Sequence, residues 1–140
     1  MQKKCENIIS QLNFSGDLFL DTDSSVDLLN LEFLLAKLSS PLVPLILNLE
    51  GSLRLKNSII NKDKAIPLSL YQSILSVLSK YNIIVSLANN HVTDFGEDSF
   101  MYLTECLDEF NIKWFGPVIN GNINTSFIEI GEDKNCNPIF

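Results

Sequence analysis

Histidine is nearly absent from this chain: His91 is the only one in 140 residues. A cage of several imidazoles, the donor set that closes many zinc and two-metal centres, is therefore beyond its own side chains. Basic charge is scarce as well, with ten Lys and Arg against seventeen Asp and Glu and a net charge of −7. A nucleic-acid groove or an anionic membrane surface needs clustered cations to neutralise phosphates. The basic groupings here are only Lys3-Lys4 and a loose set between Arg54 and Lys64, so neither partner is expected.

Cysteine is sparse and unpatterned. Cys5, Cys106 and Cys136 are odd in number, widely spaced, and form neither a C-x-x-C pair nor a zinc ribbon. A reduced, cytoplasmic setting follows, with Cys106 read as a small core residue of a helix. No apolar stretch of signal-peptide length follows Lys3-Lys4, and no segment approaches a membrane span. Neither G-x-G-x-x-G nor G-x-x-x-x-G-K-[ST] follows an apolar run, which argues against dinucleotide and P-loop nucleotide binding. A G-x-S-x-G nucleophile elbow is missing too.

What the chain does have is core-forming material: 46% hydrophobic and 19% charged residues suit one globular domain spanning 1–140. Ile8 to Ser15 alternates loosely and meets Gly16-Asp17, which predicts a first strand closed by a turn. Between Ser24 and Ser39, Leu28, Leu31, Leu35 and Leu38 recur at helical spacing, and Pro41 ends the pattern. Val43 to Leu49 reads as a second strand, followed by Glu50-Gly51. Residues 52–66 are polar and basic without period and are expected to form a mobile loop carrying at most a short edge segment.

Pro67 then opens a helix with the stripe Tyr71, Ile74, Leu75 and Leu78. Ile83 to Ala88 is an apolar run of the kind that forms a buried parallel strand. Phe100, Leu103, Leu107 and Phe110 mark a third helix, with Glu97 and Asp98 in its first turn. Ile112 to Phe115 and Ser126 to Ile130 read as short strands. The alternation predicts an α/β fold: a mainly parallel sheet with helices on its faces and right-handed crossovers.

The apolar run at Ile83 stops at Asn89-Asn90-His91, and ligands of open α/β sheets gather where strands end at their carboxyl edge. Asp17 and Glu50 are expected at the ends of the two preceding strands. Alone, Asp17 would read as a turn aspartate and His91 as a loop histidine bonded to a backbone carbonyl. Together, carboxylate, amide and imidazole suit manganese, iron or zinc. Asp94 either orients His91 or caps the third helix, with Glu97 completing a capping box. Asn89 shapes the turn; Asp21 and Asp23 receive no role.

Gly16-Asp17, Asn48-Leu49-Glu50-Gly51 and Ser86-Leu87-Ala88-Asn89-Asn90-His91-Val92-Thr93-Asp94-Phe95-Gly96 resemble, in order, three motifs of the CapA, or poly-gamma-glutamate capsule synthesis, family of the calcineurin-like metallophosphoesterase group. The resemblance spans roughly Phe14 to Ile130 and includes Leu103, Leu107 and Ile112 to Gly116. It implies that Asp17 and Glu50 are metal-binding carboxylates, that Asn90 is an amide ligand, and that His91 faces a scissile group. Such sites generate a hydroxide at neutral pH while an imidazole protonates the leaving oxygen.

The family's later histidine motifs have no counterpart in these residues, so the chain reads as the amino-terminal half of the family fold. Two ions needing roughly four to six ligands each cannot be enclosed by one histidine and its neighbours. Divalent metal is expected to bind weakly if at all. Two functions are therefore carried forward: a metal-dependent phosphoesterase-like hydrolase of capsule or poly-gamma-glutamate production, and a non-catalytic remnant or interaction module. The second is completed by a partner chain or by self-association.

Overall fold

The computed structural model describes residues 11–19, 28–55, 64–117, 131–132 and 138–139. In chain order these form β1 (Asn13–Leu18), α1 (Leu28–Leu38), β2 (Leu45–Leu49), β3 (Ser52–Arg54), β4 (Ala65–Pro67), α2 (Leu68–Leu78), β5 (Ile83–Ser86), α3 (Glu97–Glu109), β6 (Lys113–Phe115), β7 (Gly131–Glu132) and β8 (Pro138–Ile139). The main sheet has the order β1-β2-β5-β6 and all its pairs are parallel. The fold is α/β with a mainly parallel sheet. Smaller pairs form between β3 and β4, parallel, and between β7 and β8, antiparallel.

Each crossover in the main sheet advances in the same direction, so right-handed connections place α1, α2 and α3 side by side on one face. The core agrees: Leu45, Leu47 and Leu49 of β2 and Ile83, Val85 and Leu87 at β5 join Leu31, Leu35, Tyr71, Ile74, Leu103 and Leu107 in one apolar cluster. Alternation turns Ile46 and Ile84 to the opposite face, where Phe14 stands in register with Ile46.

Apolar burial, rather than capping, fixes the helices. Tyr71, Ile74, Leu75 and Leu78 lie fully inside, and burying each is worth roughly 1.5–3 kcal/mol. Pro67 at the start of α2 supplies no side-chain cap bond. Gly96, at φ +88, starts α3 in a conformation open to glycine, also without a side-chain cap, and Glu97 and Asp98 lie in the first turn. Asn111, at φ 55, reverses the chain after α3, and the Ile112 amide returns to the Leu107 carbonyl at 2.9 Å. The buried Tyr71 hydroxyl donates to the Leu103 carbonyl at 3.2 Å. Burial, then the nearby Cys106, holds this phenol protonated well above its ordinary range. The Cys106 thiol is pushed up by burial, then by Glu109 and Glu105, and behaves as the expected core residue.

Several boundaries differ from the sequence reading. Gly16-Asp17 does not close the first strand: both lie within β1, where the register passes from Phe14↔Ile46 to Asp17↔Asn48 and so leaves one extra residue on β1. This is a bulge, which extended-chain alternation cannot distinguish from a turn. The expected loop at 52–66 is wrong at both ends, because Ser52, Leu53, Ala65 and Ile66 pair as β3 and β4 and are buried. Pro67 ends β4 and precedes α2 instead of occupying its first turn. The residues at 8–10, 24–27 and 126–130 included in expected elements lie outside the described residues. No helix among the described residues is long and apolar enough to cross a membrane.

Candidate functional site

Register aligns the carboxyl ends of the three strands that carry the candidate residues. Asp17 pairs with Asn48, which pairs with Ser86. Glu50 follows β2 directly, and Asn89, Asn90 and His91 enter the turn after β5. Asp17 sits inside β1, one position before its end, and is exposed.

Two hydrogen bonds dock the histidine turn onto the segment that holds Glu50. Asn89 Nδ2 donates to the Leu49 carbonyl at 2.9 Å, and Ser52 Oγ donates to the Val92 carbonyl at 3.0 Å. Glu50 lies between Leu49 and Ser52, and His91 lies between Asn89 and Val92, so each bond flanks both residues. Asn89 also accepts the His91 amide on Oδ1 at 3.0 Å. This amide therefore shapes the turn by bridging two backbones. Ser99 Oγ on α3 donates to the Leu53 carbonyl and fastens β3 from the other side.

Within the turn, His91 Nδ1 lies 3.0 Å from Asp94 Oδ2, with both side chains mostly shielded. His91 Nε2 lies 3.2 Å from Asn90 Nδ2. A neutral imidazole satisfies both contacts when Nδ1 carries the proton, donating to Asp94, and Nε2 accepts from the Asn90 amide. Asp94 thus orients His91 and does not cap α3, whose cap position is Gly96; the Asp94–Glu97 capping box is not formed. Among the described residues no backbone carbonyl is bonded to the His91 ring. Both ring nitrogens are thus engaged within the turn, Nδ1 by Asp94 and Nε2 by Asn90.

The carboxylates are engaged elsewhere. Asp17 Oδ1 accepts from Asn48 Nδ2 at 2.7 Å, while Asn48 Oδ1 is buried without a hydrogen-bond partner among the described residues. Glu50 Oε2 accepts from Lys64 Nζ at 3.3 Å. Among the described residues no group of three or more His, Cys, Asp or Glu side chains is gathered closely enough to hold a metal ion. As arranged, the donors do not fit a divalent ion: Glu50 carries an ammonium, Asn90 turns its nitrogen to His91, and Asp17 is tied to the neighbouring strand. A cavity of about 200 Å³ between β1 and α1 is lined by Asp17 together with Leu31, Leu35 and Leu47, and by none of Glu50, Asn90 and His91.

Asn48, Ser52 and Lys64 are the residues of this edge to which the sequence reading gives no site role. Gly51 was the available signal for Lys64. It adopts φ +130, and a Cβ there would lie 2.8 Å from the Lys64 carbonyl oxygen, so glycine marks a close approach of two backbone segments.

No curated protein and no solved structure matches the chain. The family described as bacterial capsule synthesis protein PGA_cap matches residues 12–132. That span contains β1 through β6 and every candidate residue of the edge, and the chain accordingly belongs to the PGA_cap family of bacterial capsule synthesis proteins.

Proposed function

We propose that this capsule synthesis family member carries a phosphoesterase-like hydrolytic site at the carboxyl edge of β2 and β5, serving capsule or poly-gamma-glutamate production. The observation that carries the reading is the His91–Asp94 pair at 3.0 Å, docked beside Glu50. Asp94 holds the ring through Nδ1 and so fixes the orientation of Nε2, as a carboxylate does for a general acid or base. Asn90 is an amide that can rotate to present nitrogen to neutral Nε2 or oxygen to the protonated ring. His91 is assigned proton transfer to the leaving oxygen, and Asp94 its orientation. Asp17, Glu50 and Asn90 are proposed as no more than a weak and incomplete divalent site for manganese, iron or zinc.

The test is hydrolysis of a phosphodiester and a phosphomonoester by the purified chain with added manganese. Turnover above that of His91→Gln and Asp94→Asn supports the reading; equal rates for all three overturn it.

A second reading is favoured by the surface of α1 and its surroundings. Leu29, Phe33 and Leu42 are 77%, 63% and 83% exposed, and Phe14 on the edge strand β1 is 71% exposed. Exposed apolar groups of this size, clustered on and after α1 on one face and on the edge strand at the other, mark association surfaces. On this reading the chain is an interaction module completed by a partner chain or by its own copy. Light scattering decides it: concentration-dependent association that Phe33→Glu weakens supports the module, and a monodisperse monomer removes it.

A further inference from the structure

The carboxylate at the end of β2 already has a cation. Lys64 Nζ lies 3.3 Å from Glu50 Oε2 and 3.6 Å from the centre of the Phe19 ring. The two side chains are 27% and 19% exposed, so their attraction is less screened than that of a surface pair. An ammonium placed over an aromatic face while donating to a carboxylate gains from both contacts.

The backbone holds this arrangement in place. The Ser52 amide donates to the Lys64 carbonyl at 2.9 Å, and Gly51 leaves room for that carbonyl where any Cβ would collide with it. Lys64 also enters β4, which pairs along β3 from Ser52↔Ala65. The lysine stem therefore starts beside Glu50 and does not reach it from a distant loop. The pairing that docks Lys64 is continuous with the Ser52 hydroxyl that docks the His91 turn.

We propose that Lys64 is the resident cation of Glu50, standing where a divalent ion would need to bind, so that metal enters this edge only by displacing the ammonium. This extends the reading of Glu50 as a site carboxylate and does not depend on whether the site hydrolyses an ester. An ammonium and a divalent ion on the same oxygen repel one another, and loss of the lysine charge removes both the occupant and the repulsion.

Calorimetric titration of the full chain with manganese chloride tests this. Lys64→Met is expected to bind manganese on the order of tenfold more tightly than the unaltered chain, a change expected when a competing charge leaves a shielded carboxylate. Lys64→Arg, which keeps the cation, should bind like the unaltered chain, and adding Glu50→Gln to Lys64→Met should abolish the gain. If Lys64→Met does not fold, Lys64→Gln carries the same expectation. Equal affinities with and without the lysine charge, including absence of binding in both, overturn the proposal. A gain that survives Glu50→Gln overturns it as well. The hydrolysis comparison with His91→Gln is a separate measurement, so failure of the catalytic reading is distinguishable from failure of this one.

Discussion

Asp94 Oδ2 lies 3.0 Å from His91 Nδ1 across three positions of one turn, while Asn90 Nδ2 closes on the other ring nitrogen. The imidazole is thereby held at both ends. Ring-nitrogen NMR of the neutral form should show the proton on Nδ1. Asp94→Ala removes the acceptor that selects this tautomer and should transfer population to the Nε2-protonated form. A spectrum unchanged by Asp94→Ala would reject the orienting role.

Asn89 bridges β2 to the turn through its Leu49 and His91 contacts. Asn89→Ala should cost about 2 kcal/mol, since it leaves a carbonyl and an amide without their partners. Asn89→Asp keeps the acceptor but loses the donor, and should fall between the two. Urea unfolding reads this as a lowered midpoint at constant slope.

Gly51→Ala combines a collision with the Lys64 carbonyl and a φ of +130 that alanine rarely adopts. Backbone strain of that kind is worth on the order of 1–3 kcal/mol. Because the same carbonyl accepts the Ser52 amide, the substitution should also loosen β3 from β4. Faster hydrogen exchange at the Ser52 amide, together with a lowered unfolding midpoint, is the expected outcome; an unchanged Ser52 amide would show that Lys64 is not docked through Gly51.

Tyr71 gives a pH-dependent prediction. Its folded-state ionisation is raised above the ordinary value of 10.0, chiefly by burial. The stabilisation is fully present below that value and is lost as the pH climbs above it, because the unfolded chain releases the proton first. Tyr71→Phe lacks this ionisation but also loses the bond to Leu103. The unaltered chain should be the more stable by about 1 kcal/mol near neutrality, and the difference should shrink and reverse as urea titrations move above about pH 10. A constant difference would show that Tyr71 is not sealed from water.

Long periodic elements were legible in the sequence because burial decides them. The stripe Tyr71, Ile74, Leu75 and Leu78 defined α2, and the apolar run at Ile83 defined β5, before any contact was known. Glu97 and Asp98 fell in the first turn of α3 as expected. The motif around Asn89-Asn90-His91 carried the family, which the match over residues 12–132 shows. Gly16-Asp17 misled because a bulge and a turn place the same residue types in the same order, and only the register with Ile46 and Asn48 separates them.

What the sequence by itself determined was the three helices, the strands of the main sheet, their mainly parallel arrangement and a cluster of residues with polar chemistry after β5, since local periodicity and strand-end position depend on neighbours along the chain. Tertiary structure alone decided how that chemistry is shared out. Whether Asp94 served His91 or the helix depended on where Gly96 set the start of α3. Whether Glu50 stood open depended on Lys64, fourteen positions away along the chain and brought alongside by the β3–β4 pairing. Ion pairs and hydrogen bonds of that kind follow spatial proximity, and proximity across the chain is fixed only when the sheet closes and the core is packed.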